Sequence, residues 1–355
     1  MPVCYKEINF KNATGGRRLR STGVKQVNLR IVHKICVCGL FAVALLTTRQ
    51  LSAQQLTLEG QTGGFLTPTA YVVESAKGHV FSHPAVGFHF VGSAAVIGNV
   101  ETFSITEGFA NRAEVGYTRS VHQLGNQTDL STTLGLSYLW NYNGMNVFHG
   151  KVVGIKDAQF GPWTPGVAVG GVVRTGDKFV SGYLGSAFTG FTVPAKAYTN
   201  GDAYISVTKT WAKKPVPFLA NFGWKMTNAE IFGLGGQSTR FIGRFYGGLG
   251  IPLPIGKSIV AVPSAGFTQE PPQVVNLSAI LINPSTYANP SPAHIPTTLD
   301  YAIRVTQREH PHFSFDIGVG QIAGQIGFTD PILPPLYPVN LQARHVVGTG
   351  LSYRY

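Results

Sequence analysis

The chain is short of charge and, past residue 53, has no cysteine. Only 12% of its 355 residues are Asp, Glu, Lys or Arg, about half the usual share of a soluble domain, so charged helix faces have little to be built from. Cys4, Cys36 and Cys38 all precede Ala53, which removes thiol nucleophiles, thiolate metal sites and disulfides from everything that follows. Past Leu56 there is no run of 18 apolar residues and no long 3.6-residue apolar period, so neither a membrane-spanning nor an amphipathic helix is indicated. No H-E-x-x-H, G-x-S-x-G or clustered Asp/Glu/His spacing occurs, and the glycine run Phe232 to Gln237 lacks the strand-then-helix setting of a phosphate cradle. No metal or cofactor site is expected.

The formal charge of +12 is concentrated at one end. Residues 1–53 hold nine of the 28 basic residues and one of the 16 acids, leaving 19 and 15 for the rest. A mild excess with no basic run beyond Lys213-Lys214 speaks against nucleic acid as a partner. The basic stretch through Lys34 leads into the apolar run Ile35 to Leu46, then Leu51-Ser52-Ala53 before Gln54. This is the order of a secretory signal peptide over 1–53, and the apolar run is too short to span a bilayer as a helix. The n-region is long, which points to a translation start downstream, near Val24 or Val27.

What the chain does contain is period two. Leu134, Leu136, Tyr138, Trp140 and Tyr142 alternate with small or polar residues, as do Phe218, Ala220, Phe222, Trp224 and Met226, and Phe313, Phe315, Ile317 and Val319. Segments of about ten such residues suit strands that present one face to lipid. Read in order they predict an all-β fold, a transmembrane antiparallel up-and-down β-barrel of about 14 strands (12–16) over 80–355. The predicted strands lie near 80–92, 97–108, 112–122, 131–143, 145–156, 164–175, 180–191, 202–212, 216–227, 239–251, 257–269, 297–308, 311–320 and 344–355. Residues 54–79 are then an N-terminal periplasmic or plug segment. Short joins near 109–111, 143–145, 176–179, 213–215, 252–256 and 309–310 alternate with longer ones near 123–130, 157–163, 192–201, 228–238, 270–296 and 321–343. That is the periplasmic-turn and outer-loop pattern of an outer-membrane barrel, with both termini in the periplasm.

The last strand carries Val347, Thr349, Leu351, Tyr353 and Tyr355 on one face. It resembles the C-terminal strand of bacterial outer-membrane barrels, and the resemblance implies outer-membrane localisation, lipid contact, and recognition of Leu351, Tyr353 and Tyr355 by the barrel-insertion machinery. Gly63 to Ala70 (GGFLTPTA) resembles a glycine-then-PTA segment of exopolysaccharide-associated outer-membrane barrels.

By alternation the inward charged residues are Glu101, Arg112, Glu114, Arg174, Lys225, Arg240, Arg244, Asp300, Arg304, Asp316 and Arg354, since a charge facing lipid is costly. Of these, Arg174, Lys225, Arg240, Arg244, Asp300, Arg304 and Asp316 are the lumen-lining candidates, and Arg240, Arg244 and Lys225 would form a basic patch. Equally, lumen charges that pair with one another would only fill the interior. Lys209 lies on the apolar face, from which it would snorkel to the interface. Trp140, Tyr142, Trp163, Trp211, Trp224, Tyr353 and Tyr355 suit interfacial girdles.

The function expected is a non-enzymatic, porin-like channel or uptake protein for small solutes. The alternatives are a non-conducting barrel for structure, adhesion or polysaccharide export, and an outer-membrane hydrolase or acyltransferase whose triad assembles across strands. N-terminal sequencing of the exported protein is expected to start at Gln54.

Overall fold

A computed structural model describes residues 55–93, 98–123, 144–176, 199–212, 217–230, 236–271, 273–274, 292–307, 312–328, 336–340 and 345–354. The leader 1–53 and the expected strands 131–143 and 180–191 lie outside the described residues. The strands are β1 (Ala85–Ser93), β2 (Gly98–Phe109), β3 (Ala113–Gln123), β4 (Gly144–Ile155), β5 (Gly166–Gly176), β6 (Thr199–Trp211), β7 (Phe218–Glu230), β8 (Gly236–Gly250), β9 (Leu253–Ile255), β10 (Ile259–Gln269), β11 (Gln273–Val274), β12 (Pro292–Gln307), β13 (Phe313–Phe328), β14 (Leu336–Asn340) and β15 (His345–Arg354).

Twelve of these close a ring. Each pairs antiparallel with its neighbour in the order β1 to β8, β10, β12, β13, β15, and β15 returns to β1 with Phe88 opposite Leu351 and His89 opposite Gly350. The short β9, β11 and β14 pair with β10, β12 and β13 near the rims. Because β3 pairs directly with β4, and β5 with β6, the wall is continuous where extra staves at 131–143 and 180–191 were expected. Twelve is the lower bound of the expected range. Two extra staves would also have reversed the direction of β4 and β5, which is why the join 157–163 was assigned to the outer loops. The structure puts it at the same rim as the start of β1 and the end of β15. The joins expected at 143–145 and 176–179 fall at the opposite rim.

The wall is an inverted globular surface. In β4, Phe148 and Val152 are more than half exposed while Val147, His149 and Lys151 are buried; in β2, Phe103 and Ile105 are exposed while Thr102, Ser104 and Thr106 are buried. Water would drive these apolar side chains inward, so their outward display requires lipid around the cylinder. Backbone groups explain the closure: hydrocarbon offers them no partner, so each strand must find one on both sides. The staves run from 9 to 16 residues, against the roughly 9–11 needed to cross the core at a tilt.

The rim where β1 starts and β15 ends, called here the turn rim, joins its strands within ten residues or fewer, at 110–112, 156–165, 212–217, 251–258 and 308–312. At the opposite rim, the loop rim, connections reach 22 residues, at 177–198 and 270–291. The β2–β3 turn is tightest: Ala110 and Asn111 both take positive φ (49° and 54°), and the Arg112 amide donates to the Phe109 carbonyl at 2.8 Å. Two such residues give the turn the twist of a primed hairpin. Aromatic side chains gather at the turn rim, with Phe160 and Trp163 exposed in the 156–165 turn and Trp211 stacked on Phe218 at 4.3 Å. Trp224, expected in the same girdle, instead sits midway along β7 on the outer face, opposite Phe245.

Phe148→Arg places a cation on the lipid face midway along β4. It is expected to destabilise the barrel by roughly 2–4 kcal/mol, measured as a lowered urea midpoint for folding into phospholipid vesicles, whereas Phe148→Leu should leave the midpoint almost unchanged.

Candidate functional site

The interior of the ring is not empty. Residues 55–75 enter from the turn rim, reach past mid-height, and come back, and between Gln55 and Ala70 only Gly64, Leu66 and Pro68 are more than marginally exposed. The segment folds on itself through short-range bonds: Thr57 amide to Gln61 carbonyl at 2.7 Å, Gly63 amide to Gln55 carbonyl at 2.9 Å, and Gly64 amide to Thr67 carbonyl at 2.9 Å. Gly60 sits in the left-handed region (φ 83°) and any Cβ there would meet Thr118, Ser104 and His149. Glycine at this position lets the chain reverse against the wall.

Apolar residues of the segment pack on the few apolar inward residues of the wall, Leu56 and Val73 with Ala85, and Ala70 and Val72 with Val153 and Ala168. Gly108 allows the closest approach, for a Cβ there would collide with the Val73 carbonyl.

Polar side chains of the wall supply most of the remaining contacts, many of them to main-chain atoms. Thr106 donates to the Gly60 carbonyl (2.6 Å), Thr118 to Glu59 (2.8 Å), Asn221 and Ser206 to Pro68 (3.0 and 3.2 Å), and Arg304 to Gly63 (3.2 Å). The Ala70 amide donates to Thr208 Oγ1 at 2.8 Å. A buried carbonyl left without a donor is costly, so each of these bonds compensates the removal of the segment from water.

Two ionic centres dominate. Glu114 and Lys151, both with no exposed side-chain surface, pair at 2.9 Å. Glu114 also accepts from the Thr62 amide (3.0 Å), the Thr62 hydroxyl (2.6 Å) and the Val73 amide (3.1 Å). Lys151 donates to the carbonyls of Thr62 (2.9 Å) and Thr69 (3.0 Å), so its three protons have three acceptors. In the second centre Arg174 forks onto Glu59, Nε to Oε1 at 2.5 Å and Nη2 to Oε2 at 2.7 Å, while Nη2 also meets Asp202 Oδ2 at 2.6 Å. At the turn rim the Tyr71 hydroxyl donates to Asp157 (2.9 Å). Burial raises the Tyr71 phenol above its ordinary range, which keeps that proton in place. Arg354 donates to the Glu74 carbonyl.

Of the lumen-lining candidates, Arg174, Lys225, Asp300, Arg304 and Asp316 are buried on the inner face. Arg304 and Asp316 pair at 3.2 Å. Arg244 is half-buried, lies opposite Lys225, and donates to the Glu270 carbonyl at 2.8 Å. Arg240 belongs to β8, but its side chain lies outside the described residues, so the basic patch is described only for Lys225 and Arg244. Glu101 is not inward: it alternates with the buried Thr102 and shares the face of Phe103. Lys209 does not snorkel; it pairs with Asp157 at 2.6 Å, because the 156–165 turn brings a carboxylate to it. Leu351 and Tyr353 face outward, and Tyr355 lies outside the described residues.

Sequence reading missed Lys151, Asp202 and Glu59. Lys151 alternates with exposed Phe148 and Val152 in the required way and was recoverable from period two. Glu59 was not, since nothing periodic surrounds it. Among the described residues no group of three or more His, Cys, Asp or Glu is placed to hold a metal ion.

Two small cavities border the segment. One cavity of about 20 Å³ is lined by Glu59, Arg174, Asp202, Tyr204, Lys225 and Thr268 among others, and another of about 10 Å³ lies beside Leu58, Thr102 and Met145. Such volumes hold about one water each.

No protein-family model and no curated protein matches the chain. Among solved structures it is similar to a KdgM porin (7% identity, 76% of this chain and 99% of that one, TM-score 0.40), to a NanC porin (10%, 77% and 100%, TM-score 0.40) and to the Acinetobacter baumannii outer membrane protein Omp33 (8%, 78% and 99%, TM-score 0.35). The class is defined by the chain's own geometry: a closed antiparallel ring, apolar outside and polar inside, is a transmembrane β-barrel of the outer-membrane type.

Glu114→Gln and Lys151→Met are each expected to cost roughly 3–5 kcal/mol, because each leaves the other charge buried without its counter-ion. The double variant should lose clearly less than the sum, as measured by a double-mutant cycle on unfolding from vesicles.

Proposed function

We propose that the protein is a gated, porin-like channel for small polar solutes in the outer membrane, held shut by residues 55–75. The observation that carries this reading is the seating of that segment: it lies inside the ring, is buried over most of its length, and is bonded to β2 through β7 and β12. Twelve strands support the reading in a second way. A ring of that size lies between filled eight-stranded and open sixteen-stranded barrels, so its lumen is wide enough to conduct only when the segment leaves. In this reading the turn rim faces the periplasm, the signal peptide is removed before folding, and outward Leu351 and Tyr353 belong to the segment read by the insertion machinery.

The second reading, a non-conducting structural barrel, draws on the complete satisfaction of Lys151, which is what a permanent filling requires. Single-channel recording in planar bilayers separates the two. The chain from Gln54 is expected to be mostly silent with brief openings, and a variant lacking 55–75 to give steady steps. Gly108→Ala, which pushes on Val73 without removing anything, should raise the open fraction. A reversible lock is also available: a Cβ on Gly87 would lie 3.4 Å from that of Leu56, close to the spacing a disulfide needs. The variant Leu56→Cys/Gly87→Cys should lose its openings when oxidised and regain them when reduced. If the deleted variant folds, as judged by heat-dependent gel mobility, and stays silent, the channel reading fails and the structural one stands.

A further inference from the structure

We propose that Arg174, with Lys225 beside it, is a carboxylate-binding site of the lumen, and that Glu59 occupies it in the closed state in place of the carboxylate of a small anionic solute. The proposal rests on the gated-channel reading and names the solute class for it.

Between Gln55 and Ala76 the segment has only two charged side chains, Glu59 and Glu74. Glu74 stays at the turn rim, where Arg354 holds its carbonyl. Glu59 is therefore the one charge the segment takes into the lumen, and it lands on an arginine that is 1% exposed. The contact is the two-pronged guanidinium–carboxylate geometry, the most selective way a side chain recognises a carboxylate.

Arg174 needs that carboxylate. It is held by two carboxylates, Asp202 from the wall and Glu59 from the segment, and Lys225 lines the same cavity. When the segment withdraws, Arg174 keeps Asp202 but loses both bonds to Glu59, in a site shielded by the barrel. Leaving it so would be expensive, and an arriving monoanion removes the expense. The Glu114–Lys151 centre differs, since both of its charges belong to the wall and it stays neutral with or without the segment.

Unpartnered polar atoms at the same place support the assignment. Tyr204 OH, Thr268 Oγ1 and Asp202 Oδ1 are buried with no hydrogen-bond partner among the described residues. All three residues line the cavity of about 20 Å³ that also touches Glu59, Arg174 and Lys225. Two hydroxyl donors and one acceptor beside a guanidinium are suited to a solute that carries oxygen atoms next to its carboxylate. Glu59 and a solute carboxylate cannot hold Arg174 together, so solute binding and withdrawal of the segment are thermodynamically one equilibrium, and the solute favours the open state by competition.

The test uses acetate as probe against chloride at equal ionic strength, on protein folded into vesicles. In Glu59→Ala, acetate is expected to raise the thermal midpoint by several degrees more than chloride, because it refills the vacated place. Glu59→Ala/Arg174→Lys, which keeps the charge but loses the fork, should lose most of that difference. If Glu59→Ala does not fold, Glu59→Gln is used, with the same expectation of a smaller effect. In planar bilayers, acetate should increase the open fraction of the unmutated chain severalfold, and that of Glu59→Gln hardly at all.

Equal midpoints in acetate and chloride, or an acetate effect undiminished by Arg174→Lys, would overturn the site. The midpoint does not depend on conduction. A silent deletion variant together with the acetate shift would therefore sink the channel and keep the site, while a conducting one without the shift would do the reverse.

Discussion

Hydrocarbon has no hydrogen bonds to offer, and that single deficiency organises the molecule. It forces the sheet to close, and closure removes unpaired strand edges. It places Phe88, Phe103, Phe148 and Ile303 outward and leaves polar residues for the interior. An interior so made has the problem opposite to that of a soluble core. Its hydroxyls, carboxylates and amines must be satisfied by something, and here a large part of that something is a length of the same chain. The Glu114–Lys151 pair shows the reciprocity, since it stabilises the segment by accepting its amides and donating to its carbonyls, and is itself stabilised because those groups complete its coordination.

The outer face was legible in the sequence because period two is all that a lipid-facing strand demands. The staves β1 to β8, β10, β12 and β15 lie close to where alternation placed them, and β13 begins there but runs further. The expected centre of about 14 lies above the twelve of the ring for a physical reason: 131–143 alternates clearly and 180–191 less so, and alternation reports a two-faced strand without reporting which strand it pairs with. Direct pairing of β3 with β4 and of β5 with β6 is a tertiary fact. The error also inverted the direction assigned to the two staves between those segments.

The lumen was legible only in part. Inward charges such as Arg174, Arg304 and Asp316 follow from alternation alone, but the partner of each does not. Glu59 lies in a stretch of turns with no period, 115 positions from Arg174, and the pairing becomes visible only when the segment is seen inside the ring. Lys209 makes the same point at the rim. Its outward position was correct, and the carboxylate that meets it comes from a turn whose side of the membrane had been misassigned.

Most of the wall's bonds to the segment end on main-chain atoms, among them the carbonyls of Glu59, Gly60, Thr62, Gly63, Pro68 and Thr69 and the amides of Thr62, Ala70 and Val73. A carbonyl looks the same whichever residue bears it. The barrel therefore recognises the path of this stretch far more than its letters, and the stretch is free to drift over evolutionary time at positions where a new side chain still fits. Glu59 is the charged exception, joined by the hydroxyls of Thr62 and Tyr71, a few spelled-out characters in an otherwise shape-coded message.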